Sequence, residues 1–347
     1  MKFTKSRTFR IINLVFASLI AIGLFGLAGI TMAVEDTWIK KSDMPTPRQF
    51  LTTNVVDGYI YAIGGLNPNS GLTPVVERYN PLTDTWETKA PMPTARASFA
   101  SSVVDGKIYA FGGSNILSEV LANVEEYNPK TDTWTKKSDM PTGREGLATD
   151  AVDGKIYAIG GENPKGSLSV VDEYDPKIDT WTKKADMPTA RDGLSACMVN
   201  GKIYAIGGEN IEGKALSVVE EYNPKTDTWA KKADMPTPRS YVSTSVVNGI
   251  IYAIGGTPDD NSSFATVEAY DPVTNTWTKK ADMPAPRTYF ASSAIDGIIY
   301  AFGGGDKQWS KVYSIVEAYD TGFTEEPSSV KPNDKMATMW GNIKSNK

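Results

Sequence analysis

Past Glu35, apolar and polar positions fall in short runs bounded by glycine, proline and asparagine or aspartate, the pattern of strands and tight turns. One unit recurs. It opens on an arginine (Arg48, Arg96, Arg144, Arg191, Arg239, Arg287) followed by a stretch rich in Ser, Thr, Ala and Val, as in Ser240 to Val247. An Asp-Gly or Asn-Gly pair follows, for example Asp57-Gly58 and Asn200-Gly201, and favours the positive φ of a type I′ hairpin turn, so strands one and two pair directly. Strand two reads Ile-Tyr-Ala-Ile or Ile-Tyr-Ala-Phe and ends at a glycine pair, where only glycine admits a second backbone at close range. Strand three follows the pattern Val219-Glu220-Glu221-Tyr222, and a turn such as Asn223 to Asp227 leads into strand four at Trp229.

The unit occurs six times. Trp38, Trp86, Trp134, Trp181, Trp229 and Trp277 are 48, 48, 47, 48 and 48 residues apart, and the glycine pairs from Gly64-Gly65 to Gly303-Gly304 keep the same period. A period near 50 with paired glycines and a tryptophan predicts a propeller or array. The small residues of strand one suit the innermost position, where wedge-shaped blades converge. The sixth unit runs through Tyr319-Asp320 and has no fourth-strand tryptophan, while a spare fourth strand, Asp36 to Met44 with Trp38, stands at the amino end. Pairing the two ends closes the ring and removes an open edge.

These residues resemble the kelch repeat. Copy four carries the whole pattern as Arg191, Tyr204, Gly207-Gly208, Tyr222 and Trp229, and the resemblance covers residues 36–323. It implies an all-β fold: a six-bladed β-propeller of four-stranded antiparallel blades, closed by the amino-terminal strand. The predicted organisation is a signal peptide over 1–33, the propeller over 34–323 and a tail over 324–347.

Composition narrows the chemistry. The chain has no histidine, which removes imidazole acid/base chemistry and His-ligated metals, and its one cysteine, Cys197, removes an intrachain disulfide framework and Cys-rich metal sites. No metal, cofactor or catalytic residue is expected. Lys2, Lys5, Arg7 and Arg10 precede an apolar run from Ile11 to Ile30 and the small-residue boundary Thr31-Met32-Ala33, the order of a secretory signal peptide; an uncleaved anchor is the rival reading. The expected location is the periplasm, the cell surface or the medium. Without residues 1–33 the chain keeps 32 basic and 41 acidic residues, which disfavours nucleic acid or anionic membranes as partners. The tail places Met336, Met339, Trp340 and Ile343 at i, i+3, i+4, i+7, one apolar face of a short helix.

Most conspicuous residues belong to the repeat and are expected to pack blades. The repeated Arg and the strand-three acids Glu77, Glu125, Asp172, Glu220, Glu268 and Glu317 are expected to form structural ion pairs or hydrogen bonds to loop backbone, and Cys197 to fill interior space. What departs from the repeat lies in the loops joining strand four to one and strand two to three, which emerge on one face. There Glu145, Glu162, Asp192 and Glu209 gather four carboxylates on copies three and four, and Tyr241, Tyr289, Trp309 and Tyr313 supply aromatics on copies five and six. Phe50 and Phe264 are expected to pack between blades. Rings stack on the apolar face of a sugar or a peptide side chain, while carboxylates accept hydrogen bonds from hydroxyls or pair with a cation. The expected function is an exported, non-catalytic, monomeric binding module for a protein or glycan. The alternative is a metal-independent sugar mutarotase or epimerase, like the periplasmic kelch proteins that interconvert sialic acid forms. Galactose oxidase is also a kelch relative, but that resemblance implies histidine-held copper, which this chain cannot provide.

Overall fold

The computed structural model describes residues 36–115, 117, 119–258, 262–306 and 311–323. The chain divides between Ala33 and Val34 into two units, and all described residues lie in the second. The predicted signal peptide, the tail with its apolar face, and Trp309 fall outside the described residues.

Six four-stranded antiparallel sheets form the blades. Blade 1 comprises Thr52–Val56, Tyr59–Ile63, Val76–Asn80 and Thr85–Lys89; blade 3 comprises Ala148–Val152, Lys155–Ile159, Val171–Asp175 and Thr180–Lys183; blade 4 comprises Ser195–Val199, Lys202–Ile206, Val219–Asn223 and Thr228–Lys231. Blade 6 joins Ala291–Ile295, Ile298–Phe302 and Val316–Asp320 to the amino-terminal strand Thr37–Lys40, with Trp38 opposite Tyr319. Closure by the amino-terminal strand is therefore realised, with a strand shorter than the sequence suggests. Asp57 and Gly58, with φ of 49° and 77°, show the hairpin turn that the Asp-Gly pairs predict.

Each Arg that opens a unit is fully buried and paired with its strand-three acid: Arg48 with Glu77 at 2.7 Å, Arg144 with Asp172 at 2.5 Å, Arg191 with Glu220 at 2.9 Å. Its other Nη donors meet backbone carbonyls, as Arg191 does at Ala205, Gly207 and Val218, while Nε of Arg191 meets Met187 Sδ and Nε of Arg48, Arg144, Arg239 and Arg287 has no partner among the described residues. A buried guanidinium is tolerable when its charge is matched and most of its donors are taken up. The arginine also works through its own carbonyl, which accepts from the second glycine of the preceding blade: Gly208 N–H to Arg239 at 2.9 Å, and Gly304 N–H to Arg48 at 2.8 Å across the closure. A Cβ on Gly112 would lie 2.3 Å from the Arg144 carbonyl, so the first glycine is required by this approach.

A latch repeats on the opposite rim. The turn residue at positive φ (Asp36, Asp84, Asp132, Asp179, Asp227 or Asn275) accepts a hydrogen bond from the tyrosine hydroxyl of its own blade and from a backbone N–H of the preceding blade. The tryptophan beside it donates to a carbonyl of the same neighbour, as Trp134 does to Ala90 at 3.0 Å. In blade 6, Asp36 and Trp38 make these contacts to Tyr319 and Ala281, so the closing strand carries the full latch.

Along the channel, inner strands are joined by side chains. Asn54 donates to Ser101, Ser102 to Thr149 and Ser293 to Thr53; Ser245 and Ser292 are bonded at 2.8 Å. Between blades 3 and 4 the acceptor position is Ala196, which has no hydroxyl. There Asp150 replaces the usual short side chain and reaches the Met198 N–H at 2.5 Å. Burial pushes Asp150 up to about 6, against the pull of the Ala151 and Met198 N–H groups. Cys197, buried at the next step, has its thiol pushed up by burial and by Asp150; it fills space, as expected.

Candidate functional site

The two variable loops of each blade are tied to each other. The residue after each Arg bridges the residue after each glycine pair: Gln49 to Leu66, Ala97 to Ser114, Glu145 to Glu162, Asp192 to Glu209, Ser240 to Thr257, Thr288 to Gly305. Twelve positions are thus paired within the six blades, and they carry different residues from copy to copy.

In blades 3 and 4 the structure brings the four predicted carboxylates into mutual electrostatic range. Asp192 is 3% exposed. Burial, and next the charge of Glu162, push its carboxyl up to about 7, with Glu209 adding to the rise and the Ser167 hydroxyl, 2.8 Å away, opposing it. Glu162 is raised by burial, then by Glu145 and Glu209. Among the described residues no cation is an influence on Asp192 or Glu162. Among the described residues no group of three or more Cys, Asp or Glu forms a metal-holding set.

One residue further on, Phe50, Ser98, Gly146, Gly193, Tyr241 and Tyr289 encircle one mouth of the channel, and all six have φ between 49° and 59°. The left-handed region is natural for the two glycines and costs a bulky residue of order 1 kcal/mol or more. Four N–H to carbonyl hydrogen bonds run from blade to blade along this ring: Phe50 to Tyr289, Gly146 to Ser98, Gly193 to Gly146, Tyr241 to Gly193. These bonds hold the side chains over the channel. The Phe50 and Tyr289 rings lie 3.9 Å apart between centroids, and Tyr241 meets Tyr289 edge-on at 4.7 Å. Tyr241 also adjoins the acidic half: burial, then Glu209 and Asp192, raise its hydroxyl well above the usual value. The acidic and aromatic sides therefore meet at Tyr241. A cavity of about 140 Å³ opens among Phe50, Ser98, Gly146, Gly193, Tyr241 and Tyr289.

The remaining aromatics are placed differently. Tyr313 occupies the position of Thr73, Leu121, Leu168, Leu216 and Phe264, where each N–H bonds the second glycine's carbonyl; its own carbonyl accepts from Arg48 of the next blade. The backbones of Phe264 and Tyr313 thus join their blades to the next. Phe50 departs from the packing role expected of it. It belongs to the mouth, because the residue two after the arginine faces the channel in every blade. That column, with glycine in two copies and aromatics in three, is the sequence signal that groups Phe50 with Tyr241 and Tyr289.

A family model described as KLHDC2/KLHL20/DRC7 Kelch-repeats domain matches three overlapping stretches, residues 30–161, 87–230 and 146–325. The chain belongs to the kelch-repeat family. Among solved structures, this kelch propeller resembles one described as "Structure of YjhT", with a TM-score of 0.70 and 20% identity, over 80% of this chain and 95% of that one. At that identity the likeness concerns the fold. No curated protein matches the sequence.

Proposed function

We propose that this kelch propeller is an exported, non-catalytic binding module that captures one sugar ring or one side chain of a glycan or protein at the mouth of its channel. One observation carries the reading: carboxylates that face no cation among the described residues stand beside Tyr241, one of three adjoining aromatic rings kept on a backbone that disfavours them. Such strain persists where surrounding structure enforces it, commonly at ligand sites. The cavity of about 140 Å³ is about half the lower end of ordinary ligand pockets, so it suits a single ring or side chain rather than a whole oligomer. Export rests on the charged, apolar and small-residue order of positions 1–33; amino-terminal sequencing that recovers Val34 supports it, and intact Met1 on a membrane-bound product replaces cleavage with anchoring.

The test is a glycan and basic-peptide array probed with the parent, Glu162→Gln, Tyr241→Gly and, on the opposite face, Lys130→Ala. Binding weakened about five-fold or more by the first two substitutions and unchanged by the third is expected, since a good hot-spot contact contributes of order 1 kcal/mol or more. Equal binding by all variants removes the mouth as the site.

A second reading is favoured by Asp192. A carboxyl pushed up to about 7 suits a general acid/base at neutral pH, as sugar-ring opening in a mutarotase requires. The surrounding carboxylates would repel an acidic sugar, so the substrate in this reading is neutral or amino-bearing. Exchange spectroscopy of sugar anomers decides it: acceleration by the parent that disappears in Asp192→Asn supports catalysis, and no acceleration leaves binding alone.

A further inference from the structure

The channel holds a second cavity, of about 350 Å³, further from the mouth, and no residue borders both cavities. Alternate side chains of a strand share a face, and the two steps facing this part of the channel differ in chemistry. The first carries hydroxyls in five blades, on Thr53, Ser101, Thr149, Thr244 and Ser292; the second is apolar, with Val55, Val103, Met198 and Val246. Met198 is 38% exposed, an apolar side chain left open to the channel. Beyond these steps the exposed hairpin turns carry Asp57, Asp105, Asp153 and Asp296. Lys107, Lys155 and Lys202, which start second strands beside the turns, are taken up by Glu126, Glu173 and Glu221 of strand three.

Asp150 interrupts this order. Its counterparts Asn54, Ser102, Cys197, Ser245 and Ser293 are buried, whereas Asp150 is half-buried and borders the cavity. The next blade sets Ala196 at the hydroxyl step, with no side-chain oxygen to cover the carboxylate. Each carboxylate oxygen accepts one backbone N–H, from Ala151 at 2.7 Å and from Met198 at 2.5 Å, and a carboxylate has about four acceptor sites. Asp150 is the one charged residue bordering the cavity among the described residues, and no cation among them is an influence on it. A desolvated charge without a counter-ion is costly, and a cation entering the cavity offsets that cost.

We infer that this second cavity binds a linear alkyl diamine, one ammonium on Asp150 and the other among the turn carboxylates. The site is separate from the mouth, and its failure leaves the function proposed there untouched. An ammonium donates three hydrogen bonds, which the free acceptor sites of Asp150 and the hydroxyl oxygens of the same step receive. The methylene chain then lies along the apolar step, where Met198 adapts its shape to the neighbour it meets. Three residues separate Asp150 from Asp153, about 10 Å at about 3.3 Å per residue, the reach of a short diamine with its hydrogen bonds. Negative charge at the turns also draws a cation toward the channel. A metal ion makes no use of the apolar step, and a neutral diol leaves Asp150 without a counter-ion.

The test is calorimetric titration of the full chain at pH 8, where primary amines remain protonated, with 1,5-diaminopentane, pentylamine, 1,5-pentanediol and Nα-acetyl-lysine amide. The diamine is expected to bind at least about five-fold more tightly than pentylamine, and the diol not at all, because charge-assisted hydrogen bonds carry the recognition. Asp150→Asn should weaken both amines about ten-fold or more. The double variant Asp150→Ser with Ala196→Thr completes the hydroxyl step and should bind neither amine while melting no lower than the parent, which separates lost binding from lost folding. Equal diamine binding by the parent and Asp150→Asn overturns the site. The diol binding as tightly as the diamine overturns recognition of charge, and pentylamine doing so overturns the second ammonium position. The lysine amide binding as tightly as the diamine replaces a free diamine with a protein lysine and overturns the assignment. No binding of 1,5-diaminopentane by the parent overturns the inference outright.

Discussion

At the scale of single residues, the channel mouth sets stability against function. Ser98 shares the left-handed conformation of Gly146 and Gly193, with φ of 53°, but carries a side chain. Ser98→Gly should stabilise the protein by about 1 kcal/mol, because the left-handed penalty removed exceeds the added flexibility of the unfolded chain; a thermal melt that falls instead would assign Ser98 a packing role. Titration gives a second expectation. Asp192 rises from an ordinary 3.8 to about 7 in the folded protein, and Asp150 to about 6. Between these values the native state holds protons that the unfolded chain releases, so stability falls as pH rises from about 4 to about 7. The latch carboxylates act in reverse. In Asp36, Asp84 and Asp179 burial works upward but is outweighed by hydrogen bonds, whereas in Asp132 and Asp227 the tyrosine hydroxyl dominates; all five are lowered, and their stabilisation is lost as pH drops below about 4. Maximum stability is therefore expected near pH 4–5. Melting curves from pH 3 to 8 check this, and in Asp192→Asn the decline between pH 5 and 8 should shrink.

At the scale of elements, each blade is secured to the next at three radii. Inner strands share hydroxyl bonds, the glycine pair takes up the neighbouring arginine's carbonyl, and the outer strand engages through tryptophan and the latch aspartate. The inner contact between blades 3 and 4 is the exception, because Ala196 offers no hydroxyl and Asp150 bonds Met198 instead. Exchanging this arrangement for the common one, Asp150→Ser with Ala196→Thr, should raise stability at pH 8, since a desolvated carboxylate gives way to a neutral pair. Asp150→Ser alone should lack this gain, as a serine is too short to reach the Met198 N–H. A double-mutant cycle followed by denaturant unfolding measures the coupling; zero coupling would show that Asp150 does not substitute for the missing hydroxyl.

At the scale of the whole molecule, the ring closes through Thr37–Lys40, whose Asp36 and Trp38 join blade 6 to Tyr319 and Ala281. Deleting residues 34–45 should strip the outer strand from blade 6, expose its edge, and cause loss of cooperative unfolding or aggregation. Unchanged melting of the truncated chain would refute the role of this strand. Closure also brings Phe50 of blade 1 against Tyr289 of blade 6, so the aromatic half of the mouth exists only in a closed ring, and the same deletion should abolish ligand binding.

The sequence by itself determined the six copies, their four strands, the hairpin turns, the glycine approaches and the source of the closing strand. These follow from local conformational preference repeated at a fixed period, so six copies report the same physics six times. It also placed Glu145, Glu162, Asp192 and Glu209 on one sector, because adjacent copies become adjacent blades. Only the tertiary structure decided that burial and the charges of Glu162 and Glu209 push Asp192 up to about 7 and that Phe50 joins Tyr241 and Tyr289 at the mouth. Burial, side-chain direction and the field of several charges depend on what neighbouring blades place around a residue, and no single copy of the repeat contains that information.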